Sequence, residues 1–205
     1  MPIIRSFFIL FTVLLLKQNT FAQSNLTYTK QLEDFRKEYI HEFTTDENSP
    51  LNQEELKYLD FFPINERFKV TATFQLNLTQ KPFEMLTSAG TTKTFVEYGK
   101  LFFELDNHKF VLPVYRNESL SKNLKYKDNL FLPFTDFTNN DSSYGGGRYI
   151  DLTTNDIKDD KVVIDFNKAY NPYCAYKNGY RCPIPPTANR LEIEIWAGEK
   201  TYLKH

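Results

Sequence analysis

Phe68-Lys69-Val70-Thr71-Ala72-Thr73-Phe74-Gln75-Leu76-Asn77-Leu78 alternates apolar and polar side chains without a break. A helix would scatter these apolar groups around its axis, whereas a strand collects them on one side. The run therefore reads as a half-buried strand with one wet face. Downstream, 95–105 and 109–115 read as two further strands, and the polar break Asp106-Asn107 joins them as a hairpin. Shorter strands are expected at 130–134, 149–152 and 161–166, and a last one where Leu191, Ile193 and Ile195 alternate with Glu192 and Glu194. Strand follows strand with no helix between them. This predicts a mainly β protein, an antiparallel barrel or sandwich of about seven strands.

Upstream of Phe68 the period changes. Tyr28, Leu32, Phe35, Tyr39 and Phe43 recur every three or four residues, which predicts an amphipathic helix over 27–43. Its polar face carries Lys30, Glu33, Asp34, Lys37 and Glu38. After a polar loop, Asn52 and Glu55 have capping-box spacing, and Leu51 and Leu56 are placed as a staple. They predict a second short helix over 53–60, ended by Pro63. Two short N-terminal helices packed on the sheet complete the expected architecture.

At the start of the chain, Arg5 precedes the apolar run Phe7–Leu16, broken only by Thr12, and Thr20-Phe21-Ala22 offers a small residue before Gln23. This pattern reads as a secretory signal peptide over 1–22, with 23–205 a single globular domain. The run is shorter than the ~20 residues that span a bilayer, so no membrane span is expected. The expected destination is the periplasm or the cell exterior. Removing 1–22 takes away Arg5 and Lys17 and no acid, which moves the net charge from −1 to −3. That balance does not point to nucleic acid.

Cys174 and Cys182 are the only cysteines. An oxidising compartment favours a disulfide between them, adding about 2.5 kcal/mol by loop closure. Free thiols and a metal site are the alternatives. The three histidines, His41, His108 and His205, lack close ligand spacing to the pair, so no metal and no cofactor is expected.

Glycine is scarce, seven in 205 residues, yet Gly145, Gly146 and Gly147 are consecutive. Such a run marks a backbone that needs positive φ or close approach. It delivers Arg148 and Asp151 into a strand, and its N–H groups could hold an anion beside Arg148. The other reading is a tight turn in which a partly buried Arg148 pairs with Asp151 or Asp165. Asn167, Tyr170 and Asn171 follow in a segment rich in amide and aromatic groups. Tyr144, Gly145, Gly146, Gly147, Arg148, Asp151, Asp165, Asn167, Tyr170 and Asn171 are thus the candidate ligand-binding residues. Tyr149, Tyr173, Tyr176 and Trp196 could add flat apolar faces.

The runs YGGGRYIDL (144–152), DFNKAYNPYCAY (165–176), CPIPP (182–186) and NRLEIEIWAGEK (189–200) resemble the bacterial and archaeal family called domain of unknown function 1684. The stretch SPLNQEELKYLDFFP (49–63) is similar to that family's helix-to-strand entry. Asp136 matches the family pattern, whereas Thr135 stands where an Arg is expected. The resemblance implies no activity, cofactor or catalytic residue. Aromatics and amides around a glycine loop suit a module that binds a small polar molecule or a sugar. The alternatives are a hydrolase using Asp136, Asp151 or Asp165 as acid and base, and a structural or interaction protein of the cell envelope.

Overall fold

The computed structural model describes residues 26–203. The signal peptide expected over 1–22 lies outside the described residues. The chain divides after Tyr39 into two compact units. Helix α1 spans 26–45. Tyr28, Leu32 and Phe43 on it are buried, and Lys30, Glu33, Asp34, Lys37 and Glu38 are exposed, as the helical spacing predicts.

The second expected helix is absent, which corrects the architecture to one helix among the described residues. The capping contacts do form: Glu54 N and Glu55 N donate to Asn52 Oδ1 at 3.0 and 3.1 Å, and Asn52 N donates to Glu55 Oε2 at 2.9 Å. They nucleate only a 3₁₀ turn, Leu56–Tyr58, after which Leu59 is extended. Competing backbone partners stop propagation. Phe62 N donates to Gly198 O at 2.9 Å, and Phe61 bridges Glu199.

Seven strands follow: β1 (Lys69–Leu76), β2 (Pro82–Leu86), β3 (Thr92–Leu105), β4 (His108–Asn117), β5 (Asn129–Phe134), β6 (Arg148–Thr153) and β7 (Lys161–Asp165). All pair antiparallel in one sheet, in the order β6-β5-β4-β3-β1-β7, with β2 also on β3. The sheet curls into a half-barrel. Asp106 and Asn107 both have positive φ, 53° and 62°, the backbone of a two-residue hairpin turn.

β3 is long enough to serve two neighbours on one edge. Its first half pairs with β2, and Gly99–Phe102 pair with β1. The β3–β4 register shifts between Glu97 and Gly99. A bulge of this kind bends a strand and re-aims its side chains. Beyond the bulge, Leu101, Phe103 and Leu105 join Phe68, Ala72, Phe74, Leu112, Leu132, Ile150 and Ile164 in the main core. Before it, Phe95 belongs to a smaller cluster with Met85 and Tyr115.

Two strand expectations need correction. β2 was not expected, because its apolar residues at 83, 85 and 86 break the period of two. The run 191–195 is not a strand. Leu191 N donates to Thr135 O at 2.8 Å and Phe137 N to Ile193 O at 3.0 Å, but Ile195 N donates to the Asp136 carboxylate at 3.1 Å. A side chain has taken the place of a ladder partner. Leu191, Ile195 and Ala197 nonetheless enter the core, so this segment fills the half-barrel without extending it. Leu76 and Leu78, expected on the inner face of the first strand, are 43% and 89% exposed, because the strand ends at Leu76.

A Cβ on Gly99 would lie 2.6 Å from Gln75 O and also strike the Phe74 ring. Gly99→Ala should therefore cost about 1–3 kcal/mol through forced displacement at the β1–β3 contact. Urea unfolding of the variant measures this, and an unchanged midpoint would contradict the close approach.

Candidate functional site

Arg148 opens β6 and has no exposed surface. Its Nη2 donates to Asp136 Oδ2 at 2.8 Å and to Ile195 O at 2.9 Å, and its Nη1 donates to Ala197 O. The expected buried pair exists, but its carboxylate is Asp136, not Asp151 or Asp165. The physical reason is the chain path. Asp151 follows three residues later on the strand and points elsewhere, while the turn after β5 brings Asp136 beside the guanidinium. Asp136 Oδ1 also accepts from Thr138 N at 2.9 Å and Thr138 Oγ1 at 2.6 Å. Burial pulls the Arg148 pKa down, and Asp136 and Glu199 oppose it.

The glycines before Arg148 serve this burial. Gly147 has φ +86°, and a Cβ there would lie 2.6 Å from Phe134 O. Asp165 caps a 3₁₀ turn by accepting from Asn167 N at 3.1 Å, and the Asn167 amide is paired with both backbone groups of Asn65, at 2.9 Å each. Asn171 N donates to Glu199 Oε2 at 2.9 Å, and its side chain donates to Lys200 O at 2.8 Å. Tyr144 is half-buried, and Gly145 and Gly146 are exposed on the turn. Most of the sequence-predicted residues thus lie in backbone-tying positions.

Asp151 and Tyr170 lie elsewhere, on the wall of a cavity of about 530 Å³. Tyr170 is brought beside β6 by a bridge to Tyr149, with N–H···O distances of 2.9 and 3.0 Å. Its hydroxyl donates to Asp151 Oδ2 at 2.9 Å. One wall is a chain of ring contacts: Phe95 on Phe131 at 5.5 Å, Phe131 on Tyr149 at 4.7 Å, and Tyr149 on Tyr170 at 5.8 Å. The opposite rim is the loop closed by the Cys174–Cys182 disulfide. This loop supplies Tyr173, Tyr180, Arg181 and Pro183. It is stitched to the β2–β3 turn, where Ser88 N donates to Cys182 O at 2.9 Å and Ile184 N to Leu86 O at 2.8 Å. A third side comes from the β4–β5 connection, with Asn117, Leu120 and Tyr126.

The cavity is electrostatically unusual. Among the described residues, Asp151 is the one acid that lines it. Asp151 keeps exposed surface, yet the protein around its carboxyl raises its pKa by desolvation, against the Tyr170 hydrogen bond and with help from Glu42. Lys93 and Arg181 also line the cavity. Lys93 keeps exposed surface, yet desolvation by the protein around its ammonium lowers its pKa, and the Arg181 charge pushes the same way. Burial raises the pKa of the Tyr149 and Tyr173 hydroxyls, so both stay protonated.

Sequence reading missed Lys93, Arg181, Phe95, Phe131 and Tyr126 as cavity residues. The signal within reach was the position of Arg181 between Tyr180 and Cys182. Of the other aromatic candidates, Tyr149 and Tyr173 line the cavity, and Tyr176 donates to Glu199. Trp196 borders a separate depression with Tyr58 and Lys200. Among the described residues, no cluster of His, Cys, Asp and Glu is placed to hold a metal ion, and no helix is long and apolar enough to cross a membrane.

Fold and site together define a β half-barrel with an aromatic-walled side cavity. The chain belongs to the family described as Protein of unknown function (DUF1684), whose sequence profile matches residues 54–200, in agreement with the resemblance carried by its motifs. It is similar to an uncharacterised protein of Haloarcula marismortui, known from a solution NMR structure. The two are 32% identical, the match covers 89% of this chain and 99% of that one, and the TM-score is 0.67. No curated protein matches the chain.

Arg148→Met keeps the bulk and removes the charge. It leaves Asp136 buried with one partner fewer, and the expected loss is about 3–5 kcal/mol. Denaturant unfolding checks this, and a loss below about 1 kcal/mol would show that the pair contributes no more than an exposed one.

Proposed function

We propose that the protein is an exported module that binds a small organic molecule in the cavity between β3, β5, β6 and the disulfide loop. The observation that carries this reading is the cavity itself. About 530 Å³ is the size of a small-ligand site, and convergent aromatic walls with a few charged groups are its usual lining. Stacked and edge-on rings offer flat apolar faces, as a sugar ring or another planar body requires. A hydrolase with two carboxylates fits less well, since Asp151 lines the cavity without a second acid.

Leu120 is half exposed on the rim, so Leu120→Trp should fill the mouth without disturbing the core. A panel of sugars, sugar acids and aromatic acids is then screened by thermal melting. At least one class should raise the midpoint of the wild-type chain and leave Leu120→Trp unmoved. A panel without any shift, or equal shifts in both proteins, would count against the cavity as the site.

Export is the second part of the proposal. The Arg5 start, the apolar run to Leu16 and the small residues before Gln23 support cleavage after Ala22, and the Cys174–Cys182 disulfide suits an oxidising compartment. Expression from the native start should yield mature protein in the periplasm or medium whose N-terminal sequencing begins at Gln23. A sequence beginning at Met1 in exported material would reject the cleavage.

A further inference from the structure

The polar groups around the cavity are unequally free. The Tyr149 hydroxyl donates to Pro183 O, Tyr173 to Asp46 Oδ2 at 3.0 Å, and Tyr180 to Asn48 O at 2.8 Å. The Tyr170 hydroxyl is spent on Asp151, and Asn117 Oδ1 accepts from Ser119 N and Leu120 N at 3.0 and 2.9 Å. A neutral sugar needs many open donors and acceptors, and here most of them are already engaged. The lining side chains of Lys93, Arg181, Tyr126 and Asn129 stay open, and the first two carry charge. Neither of these two side chains makes a hydrogen bond or ion pair among the described residues, although both line the cavity and lie close enough for each charge to act on the other. Two like charges lining one concave surface, neither of them in an ion pair, raise the local potential for an anion.

We propose that the cavity's ligand is an organic anion with a flat apolar body, its carboxylate, sulfonate or phosphate held between Lys93 and Arg181 and its body laid against Phe95, Phe131 and Tyr149. This rests on the reading of the cavity as a small-molecule site and narrows it to a chemical class. Lys93 comes from the start of β3, and Arg181 from the disulfide loop. An anion between them meets donors from two separate elements. Arg181 offers a planar fork suited to such a group, and Lys93 offers a compact point charge. The ring wall takes the apolar body, and the Asp151 carboxyl in the same lining disfavours a second negative group.

Two dyes that share an aromatic body and differ in charge test this. 8-Anilinonaphthalene-1-sulfonate is the anionic probe, and N-phenyl-1-naphthylamine is its neutral counterpart. Both are titrated by fluorescence into the folded chain and into Lys93→Met, Arg181→Met, Leu120→Trp and the outlying control Lys109→Met, each shown to melt like wild type. The sulfonate should bind one site at least tenfold more tightly than the amine. Lys93→Met and Arg181→Met should each weaken the sulfonate about tenfold or more and leave the amine unchanged. Leu120→Trp should block both dyes, and Lys109→Met should block neither. Equal binding of the two dyes, or full sulfonate affinity in both charge variants, overturns the anionic class and leaves the cavity reading standing if Leu120→Trp still blocks. Binding of neither dye, or binding insensitive to Leu120→Trp, overturns both.

Discussion

A guanidinium without water must find its partners inside the protein, and that requirement at Arg148 organises everything around it. Five N–H donors brought into the interior cost several kcal/mol unless they are paired. Here the donors on Nη1 and Nη2 reach Asp136, Ile195 O and Ala197 O, while Nε has no hydrogen-bond partner, and the Phe134 ring lies 5.3 Å from the guanidinium carbon. The partners come from two other parts of the chain. The start of β6, the turn after β5 and the C-terminal segment therefore cannot separate without exposing or orphaning a charge. Gly147 makes the approach sterically feasible, and the same Asp136 carboxylate receives Ile195 N at 3.1 Å.

A second fixing point answers a different deficit. Pairing of Tyr115 with Phe131 is the one β4–β5 register pair, and it sets Pro113 opposite Pro133. Neither proline has an N–H, so both carbonyls would lack ladder donors. The Asn189 amide donates to both, at 2.8 Å each, and its Oδ1 accepts from the buried Tyr115 hydroxyl at 2.8 Å. One side chain from the C-terminal segment thus repairs the gap in the sheet. Asn189 and Arg148 together explain why 189–199 lies in the half-barrel. Its bonding partners are side chains and scattered carbonyls, which a regular strand could not reach in register.

This also explains what was legible in the sequence. Alternation at 68–76, the Asp106-Asn107 break and the spacing from Tyr28 to Phe43 are local signals, and each produced the element it implies. The burial of Arg148 was legible from the glycine run, since a rigid turn leaves the next side chain little freedom. Its partner was not, because Asp136 is placed by the fold of the 134–143 turn and not by strand neighbours. The failures share one cause. At 53–60 and 191–195 the local pattern favoured regular structure, and long-range bonds to Gly198 O, Asp136 and Thr135 O replaced it. Asp151 and Tyr170 stood out among local candidates. Lys93, Phe95 and Phe131 did not, because only sheet order and the bulge at Glu97–Gly99 turn them to the same space.

The cavity and the buried network are two consequences of one construction. The C-terminal segment packs into the half-barrel past the β3 bulge, where the strands carry Leu101, Phe103 and Leu105. Before the bulge, Phe95 faces a smaller cluster, which this segment touches through Asn189 at the Tyr115 hydroxyl. The space left there is walled by rings and closed at its rim by the loop from Tyr173 to Pro183. That loop is held by its disulfide, by the β2–β3 turn, and by Phe43, whose ring meets Tyr176 edge-on at 5.6 Å. A loop with so many independent ties holds the backbone at Arg181 on the cavity that Lys93 also lines, so the two charges enter it from separately anchored elements.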